Sequence, residues 1–269
     1  MVRESLFWKH DRIFFNLIQG KNMTELNTVL PVRRLNFARI FQVLLQPRRT
    51  FAEIAGEASS SWLTPMLTLS LSSLLSVVVS GYLTSRAALQ GQVTLPPDWQ
   101  YWTPDMQNNW MLGQQATQGA TFVYIIPLVS ALVGLWLGWL ILSGLLHLGS
   151  TLLGGRGSMQ GALNIVGWGN LPFMVRDVLR VIFMLLASHA IVSPGLSGFA
   201  AGSVFISQIL SRVDIFFIWN AILLVIGFSI ADGLSRNKAA IGVVIVLVIL
   251  LLILAGFGVL GSSLSGISF

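Results

Sequence analysis

Five long apolar stretches limit what this chain can fold into. About 20 apolar residues in a helix cross the hydrocarbon of a bilayer, and stretches of about that length follow one another here. Only 10% of the 269 residues are charged, too few to cover a soluble fold of this size. The sequence therefore predicts an all-α, polytopic transmembrane bundle of about five spans. They lie at about residues 62–83, 122–148, 171–192, 204–230 and 239–260.

The distribution of basic residues predicts the orientation. Nine of the sixteen Lys and Arg residues lie at or before Arg49, and short cytoplasmic segments are enriched in these residues. The N-terminus is therefore predicted to be cytoplasmic. The connection 84–121 carries few basic residues and is predicted outside. Arg156 marks one inner loop, and Arg236 with Lys238 marks another. With five spans, the C-terminus is predicted to lie on the outer side of the membrane. The membrane is predicted to be the inner (cytoplasmic) membrane of a bacterium.

The chain divides into a cytoplasmic tail (residues 1–34), a membrane domain (35–260) and a C-terminal tail (261–269). Residues 37–58 at the start of the membrane domain have apolar positions at helical spacing, and Pro47 separates two short helical pieces. This segment is predicted either to lie as an amphipathic element on the inner surface or to pack beneath the spans.

The third predicted span opens with charges. Its sequence LPFMVRDVLR places Arg176 and Arg180 on one helical face with Asp177 between them. A charge at mid-membrane costs roughly 2.5–3.5 kcal/mol, so these groups must face protein, headgroups or water. The span begins either near Gly161, with a kink at Pro172, or near residue 171.

Asp214 in the fourth predicted span is the candidate partner of these arginines. Arg180 and the neighbouring Arg212 are both possible ion-pair partners for it, and Asn220 lies further along the same stretch. Asp214 and its partner form either a structural intramembrane pair or a proton relay, and in an autonomous transporter the charged residues would line a hydrated path. The candidate intramembrane polar residues are Arg176, Asp177, Arg180, Asp214 and Asn220.

Small hydroxyl residues recur every four positions along the first predicted span. This spacing forms a slowly winding seam on a helix, where another backbone can approach closely. Helix packing is the expected role, and a polar pathway is the alternative. A second close-approach pair is Gly134 and Gly138. The seam consists of Thr64, Thr68, Ser72, Ser76, Ser80 and Thr84.

The predicted outer connection is rich in aromatic residues. Such residues anchor membrane proteins at the headgroup level, and the same residues could instead cover a partner or a substrate opening. The candidate outer-loop contacts are Trp99, Tyr101, Trp102 and Trp110.

The chain lacks the residue patterns of common catalytic sites. It contains no cysteine, which excludes disulfides and thiolate chemistry. Its three histidines show no metal-ligand spacing, and no phosphate-binding or nucleophile motif is present. The basic residues follow membrane topology, which argues against nucleic acid as a partner. We expect a protein that is not an enzyme and that uses no cofactor and no metal.

Several segments resemble the YIP domain family, small membrane proteins named for interaction with Ypt/Rab GTPases. They are FQVLLQPRRTFAEI (residues 41–54), Trp62 with Pro65, GALNIVGWGNLP (161–172) and SPGLSG (193–198). The resemblance covers about residues 35–260, is closest to the prokaryotic branch and includes no catalytic signature. The resemblance implies that the protein acts through contacts with partner proteins in membrane organisation or trafficking. For the prokaryotic branch, it implies association with transport machinery.

Three functions remain open. The first is partner binding by a non-catalytic integral membrane protein, which would be an accessory subunit of a transport complex. Its partner would be another membrane protein, such as a component of an ABC-type transporter, or a second copy of the chain in a homo-oligomer. The second is a small autonomous transporter or channel that uses the intramembrane charges. The third is a membrane-shaping or trafficking-type scaffold that acts through the inner amphipathic segment.

Overall fold

A computed structural model describes residues 35–57, 60–91, 95–96, 98–191, 193–200 and 202–265. The regular secondary structure in these ranges is entirely helical, as the all-α prediction requires. The predicted tail 1–34 lies outside them, as do residues 266–269. The helices are α1 Ala38–Leu45, α2 Pro47–Gly56, α3 Leu63–Leu89, α4 Pro104–Thr117, α5 Ile126–Leu152, α6 Met159–Gly169, α7 Leu171–Ala187, α8 Val204–Leu210, α9 Ile215–Ala231 and α10 Arg236–Ser265.

Among the described residues, three helices are long and apolar enough to cross a membrane. They are Leu63–Leu89, Thr121–Leu152 and Arg236–Ser262, and they correspond to the first, second and fifth predicted spans. The middle one begins with a π-helical turn, Thr121–Ile125, that runs into α5. Helix α10 continues to Ser265, so the predicted C-terminal tail begins as helix.

The fourth predicted span is broken. Helices α8 and α9 are separated by Ser211–Asp214 and meet at a bend of 59°. The break forms because the Asp214 carboxylate accepts a hydrogen bond from the Phe217 N–H (2.8 Å) and so caps a new helix. The pair provides a fourth crossing if both helices belong to one span.

The third predicted span is also divided. Helices α6 and α7 are separated at Asn170, and Pro172 stands in the first turn of α7, where its missing N–H breaks no helical bond. Helix α7 has 17 residues and ends before the predicted Val192, because Ser188 adopts a left-handed conformation (φ 57°). A count of five spans therefore stays a prediction.

Helix α6 lies at the centre of the core. Its residues Ile165, Val166 and Trp168 are completely buried, and it packs against α2, α3, α5 and α9. Ser158 caps it by accepting a hydrogen bond from the Gly161 N–H. The Asn164 side chain accepts hydrogen bonds from the N–H groups at the start of α3, so the buried helix also fixes where the first span begins.

The two N-terminal helices have different environments. In α2, Phe51 and Ile54 are buried beneath α6 and α9. In α1, the side chains of Phe37, Phe41 and Leu45 are 55%, 69% and 79% exposed on one face. The second piece therefore packs beneath the bundle, whereas the first leaves an apolar face uncovered.

Two cavities mark the two ends of the bundle. Near one end, Ile54, Arg156 and Asp232 line a cavity of about 250 Å³. Near the other end, Arg86 and His189 line a cavity of about 1060 Å³. The first cavity thus brings together α2, the start of α6 and the end of α9, and the second brings together the ends of α3 and α4 and the residues after α7.

Candidate functional site

The structure brings four of the predicted intramembrane residues together. In this charge cluster, Asp214 Oδ2 lies 3.6 Å from Arg176 Nη1 and 3.8 Å from Arg180 Nη2. Asp177 Oδ1 lies 3.6 Å from Arg176 Nε. The charge cluster joins α7 to the break between α8 and α9, and its two carboxylates match its two guanidinium groups in formal charge.

The charge cluster is largely shielded from the surroundings. The side chains of Asp214 and Asp177 are 14% and 12% exposed, and those of the arginines are 22–26% exposed. The Arg176 guanidinium also lies over the Phe173 ring, 4.6 Å from its centroid. Ion pairs in such a setting are weakly screened and hold the two helices in a defined register.

Arg212 is not the partner of Asp214. Its guanidinium instead donates to the backbone carbonyl and side chain of Gln208, the latter at 3.1 Å. The sequence left Arg180 and Arg212 as alternative partners of Asp214. In the structure, Arg180 and Arg176 both lie beside the Asp214 carboxylate.

Asn220 lies in a separate polar contact. Its Nδ2 atom donates to the Gly169 carbonyl (2.8 Å) and to Asn170 Oδ1 (2.9 Å), and the side chain is 1% exposed. These bonds secure α9 to the break between α6 and α7. Asn170 and Asn164 were missed by the sequence argument; a buried amide inside an apolar run is the signal that could have found them.

The small-residue seam is divided between packing and an open cavity. Ser72 is buried, and its hydroxyl lies 3.5 Å from Asp177 Oδ2, which joins α3 to α7. Thr64 is also buried, and its Oγ1 accepts a hydrogen bond from the Asn36 N–H. The hydroxyl of Thr68 donates to its own helix. Ser76 and Ser80 line a cavity of about 460 Å³.

The predicted glycine pair does not mark a close approach. A Cβ at Gly134 or Gly138 would meet no heavy atom within 4 Å. At Gly81, in contrast, a Cβ would lie 2.8 Å from the Tyr124 ring and 3.0 Å from the Val123 carbonyl. The close contact of α3 therefore involves the π-helical turn before α5.

The aromatic residues of the predicted outer connection form a compact tryptophan segment, residues 98–117. The Trp99 ring packs on Trp102 and Trp110, with centroids 5.6 and 5.1 Å away. Gln107 donates to the Trp99 and Trp102 carbonyls. Tyr101 is 81% exposed.

Metal ligation finds no support in the ranges that the structure covers. No group of three or more His, Asp or Glu side chains suited to a metal ion occurs there. The charge cluster contains only two carboxylates, and both are engaged by arginine. Its arrangement suits helix fixation more than acid–base chemistry.

Comparisons with known proteins add family information. A family model described as Yip1 domain matches residues 41–257. An uncharacterized protein of Methanocaldococcus jannaschii is 36% identical over 67 residues, which is 25% of this chain and 48% of that protein. The chain therefore matches about half the length of this curated relative. No solved structure matches the chain.

Proposed function

The chain belongs to the Yip1 domain family, a family of non-enzymatic membrane proteins, and from this premise we propose that it acts by binding a partner protein in the bilayer. The partner is a membrane component of a transport complex, with an ABC-type permease as the first class to test. In this function the chain is an accessory subunit and does not itself carry substrate.

The proposed topology has five crossings, with a cytoplasmic N-terminus in the inner membrane and the C-terminus outside. Arg156 and Asp232 line the same cavity as Ile54, so the segments assigned to the inside lie at one end. Arg86 and His189 line the cavity at the opposite end. Alternation of this kind agrees with the distribution of basic residues.

One observation carries the partner-binding proposal: helix α4 has no buried residue. On its surface Met106, Met111 and Leu112 are 49%, 50% and 63% exposed. Apolar side chains on a helix that buries nothing against its own bundle are available to another protein.

The order within the tryptophan segment strengthens this proposal. Thr103 caps α4 by accepting a hydrogen bond from the Met106 N–H, and Pro104 occupies the first turn. The ring contacts of Trp99 with Trp102 and Trp110 hold the preceding turn against the helix. A surface that is ordered before binding loses little conformational entropy when a partner docks. Interfacial anchoring would use the tryptophans but would not require an exposed face on α4.

The charge cluster favours an accessory role over autonomous transport. Its carboxylates are held by arginines and by Ser72. The cavities near Arg86, Ile54 and Ser76 are lined by other residues. Groups that pair with one another fix helices, whereas a transport path needs charges that face water or substrate.

The test is affinity purification of the tagged full chain after gentle detergent extraction, followed by mass spectrometry. We expect a stoichiometric permease or ATPase with the wild-type chain. Leu112→Glu should remove this partner while the abundance of the chain stays unchanged, because a charge would enter the apolar contact.

Gln115→Glu is the matched control, since it adds the same charge to an exposed position on α4. It should retain the partner. Recovery of the chain alone, as a monomer or a homo-oligomer, would contradict the proposal. Equal recovery of the partner with the wild type and Leu112→Glu would exclude α4 as the contact.

The exposed apolar face of α1 favours membrane shaping as a second function. Phe37, Phe41 and Leu45 lie on one side of a short helix, as in elements that insert shallowly into one leaflet. Phe41→Asp should abolish tubulation or fragmentation of liposomes by the reconstituted protein, and Gln42→Asp, a neighbouring exposed change, should not. If the wild-type protein leaves the liposomes unchanged, membrane shaping is excluded as a function.

A further inference from the structure

A continuous groove runs along the C-terminal half of α3. The cavity near Arg86 and the cavity near Ser80 share the lining residues Thr84, Thr117 and Val123. We call the two together the α3 groove. Their volumes are about 1060 and 460 Å³. The proposed partner-binding function makes no use of this space.

The chemistry of the α3 groove changes along its length. The wider compartment contains polar and basic side chains, including Arg86, Gln90 and His189. The narrower compartment continues along α3 to Val77 and is also lined by Phe122 and Pro127. A ligand that fits both compartments must have a polar end and an apolar end.

The position of Arg86 fits the level of lipid headgroups. Helix α3 has 27 residues, which is about 40 Å at 1.5 Å per residue, longer than the roughly 30 Å of hydrocarbon. Arg86 lies in its last turn. The guanidinium is therefore expected at the headgroup region, and the seam residues before it extend toward the hydrocarbon.

The charge of the wider compartment selects an anion. Among the described residues that line it, Arg86 is the single one with a permanent charge, and none is acidic. In the part of the chain that the structure describes, Arg86 takes part in no ion pair. A phosphate would complement this charge, whereas the cationic amine of a zwitterionic headgroup would find no acidic partner.

Hydroxyl groups line the narrower compartment, and that of Thr84 also lines the wider one. Within the described ranges, the side chains of Ser76, Ser80 and Thr84 form no hydrogen bond, whereas Thr68 and Ser72 donate to carbonyls of their own helix. Ser80 precedes Arg86 by six residues, or about 9 Å along the helix. Hydroxyl donors at this distance below a phosphate suit the ester carbonyls of a glycerolipid.

The groove is also shaped by local backbone features. Gly81 lets the π-helical turn approach α3, and such turns are frequent at functional sites. On the other side, the left-handed Ser188 ends α7 and is followed directly by His189, which lines the groove.

We propose that the α3 groove binds one anionic phospholipid, with its phosphate at Arg86, its ester carbonyls at the unpaired hydroxyls and an acyl chain beside Val77 and Phe122. The site would be occupied from the leaflet that faces the C-terminal end of α3. Ordinary annular lipid differs from this ligand because its binding would not depend on Arg86.

The test is native mass spectrometry of the full chain in detergent, titrated with dioleoylphosphatidylglycerol or dioleoylphosphatidylcholine. We expect one phosphatidylglycerol to bind about tenfold more tightly than phosphatidylcholine, the effect of one charge-assisted contact. Arg86→Gln should abolish this preference. Arg236→Gln, which removes an exposed arginine at the opposite end, should preserve it.

Ser80→Leu gives an independent test, because it fills the narrow compartment and leaves Arg86 in place. It should lower the affinity for phosphatidylglycerol while the melting temperature stays near that of the wild type. Equal binding of both lipids, or a preference that survives Arg86→Gln, would overturn the proposal. Displacement by excess glycerol 3-phosphate would also overturn it, since the ligand would then be a small soluble phosphate.

Discussion

Asp214, in the break between α8 and α9, faces Arg176 on α7, with Oδ2 and Nη1 3.6 Å apart. The same carboxylate caps α9 through its other oxygen. The residue thus has two separable roles, one electrostatic and one in starting a helix.

Substitution of Asp214 should reduce stability in two steps. Asp214→Asn removes the charge but retains a good capping side chain, whereas Asp214→Ala removes both. Thermal or denaturant unfolding in detergent should show Asp214→Ala to be less stable than Asp214→Asn by about 1 kcal/mol, the usual contribution of a cap. An Asp214→Asn variant that unfolds like the wild type and loses substrate flux would favour the autonomous transporter.

The buried amides of Asn220 and Asn170 should behave as one unit. Asn220→Ala removes the donor to both Gly169 and Asn170 and should destabilise the protein by about 1–3 kcal/mol. In a double-mutant cycle with Asn170→Ala, the stability losses of the two single variants should sum to more than the stability loss of the double variant. Asn108→Ala, on the exposed face of α4, is the neutral control; strict additivity would show that the two amides act separately.

Glycine substitutions should distinguish close contacts from open helix surface. A Cβ at Gly227 would overlap Cγ2 of Ile165, so Gly227→Ala should force α9 away from α6 and lower the melting temperature. Gly138→Ala meets no neighbour and should be neutral or stabilising by up to about 1 kcal/mol, because alanine favours helix. The same melting temperature for both variants would show that the α6–α9 contact is loose.

Asp232 should make stability depend on pH. Burial raises the pKa of this carboxyl above its ordinary value of 3.8, although the Ser150 hydroxyl and His147 act in the opposite direction. The folded protein therefore favours protonated Asp232. Ionising Asp232 therefore costs folding stability. This cost is absent below pH 3.8, grows as the pH rises from 3.8 through the raised pKa, and is complete above the raised pKa.

Melting temperatures of the wild type and Asp232→Asn, measured from pH 3.8 to neutrality, should test this effect. The wild type should lose stability relative to Asp232→Asn as the pH rises, because the amide cannot ionise. The backbone contact from Arg156 to the Asp232 carbonyl is unchanged by this substitution. A constant difference across the range would mean that Asp232 titrates as an exposed carboxyl does.

The sequence predicted what depends on composition and charge. Long apolar runs are sufficient to place α3, α5 and α10, because hydrophobic length alone determines whether a helix can cross. Charges inside an apolar run require partners, which correctly directed attention from Arg180 to Asp214. These inferences need no knowledge of how the helices are arranged.

The arrangement itself was beyond the sequence argument. Whether Asp214 continues a helix or caps a new one depends on the position of α7, whose arginines hold the carboxylate. Helix α6 is glycine-rich and short, so its central burial depends on neighbours distant in sequence. Ser72 and Ser80 have the same residue type and spacing, yet one contacts Asp177 and the other lines the α3 groove.

The position of Phe51 has a consequence for biosynthesis. A Cβ at Gly227 on α9 would lie 3.5 Å from the Phe51 ring, so a residue made early in translation packs against a helix made much later. Helix α2 therefore leaves the ribosome long before its cover exists, and the nascent chain must hold an unfinished apolar surface throughout translation of the spans. Fragments that stop before α9 retain that uncovered surface.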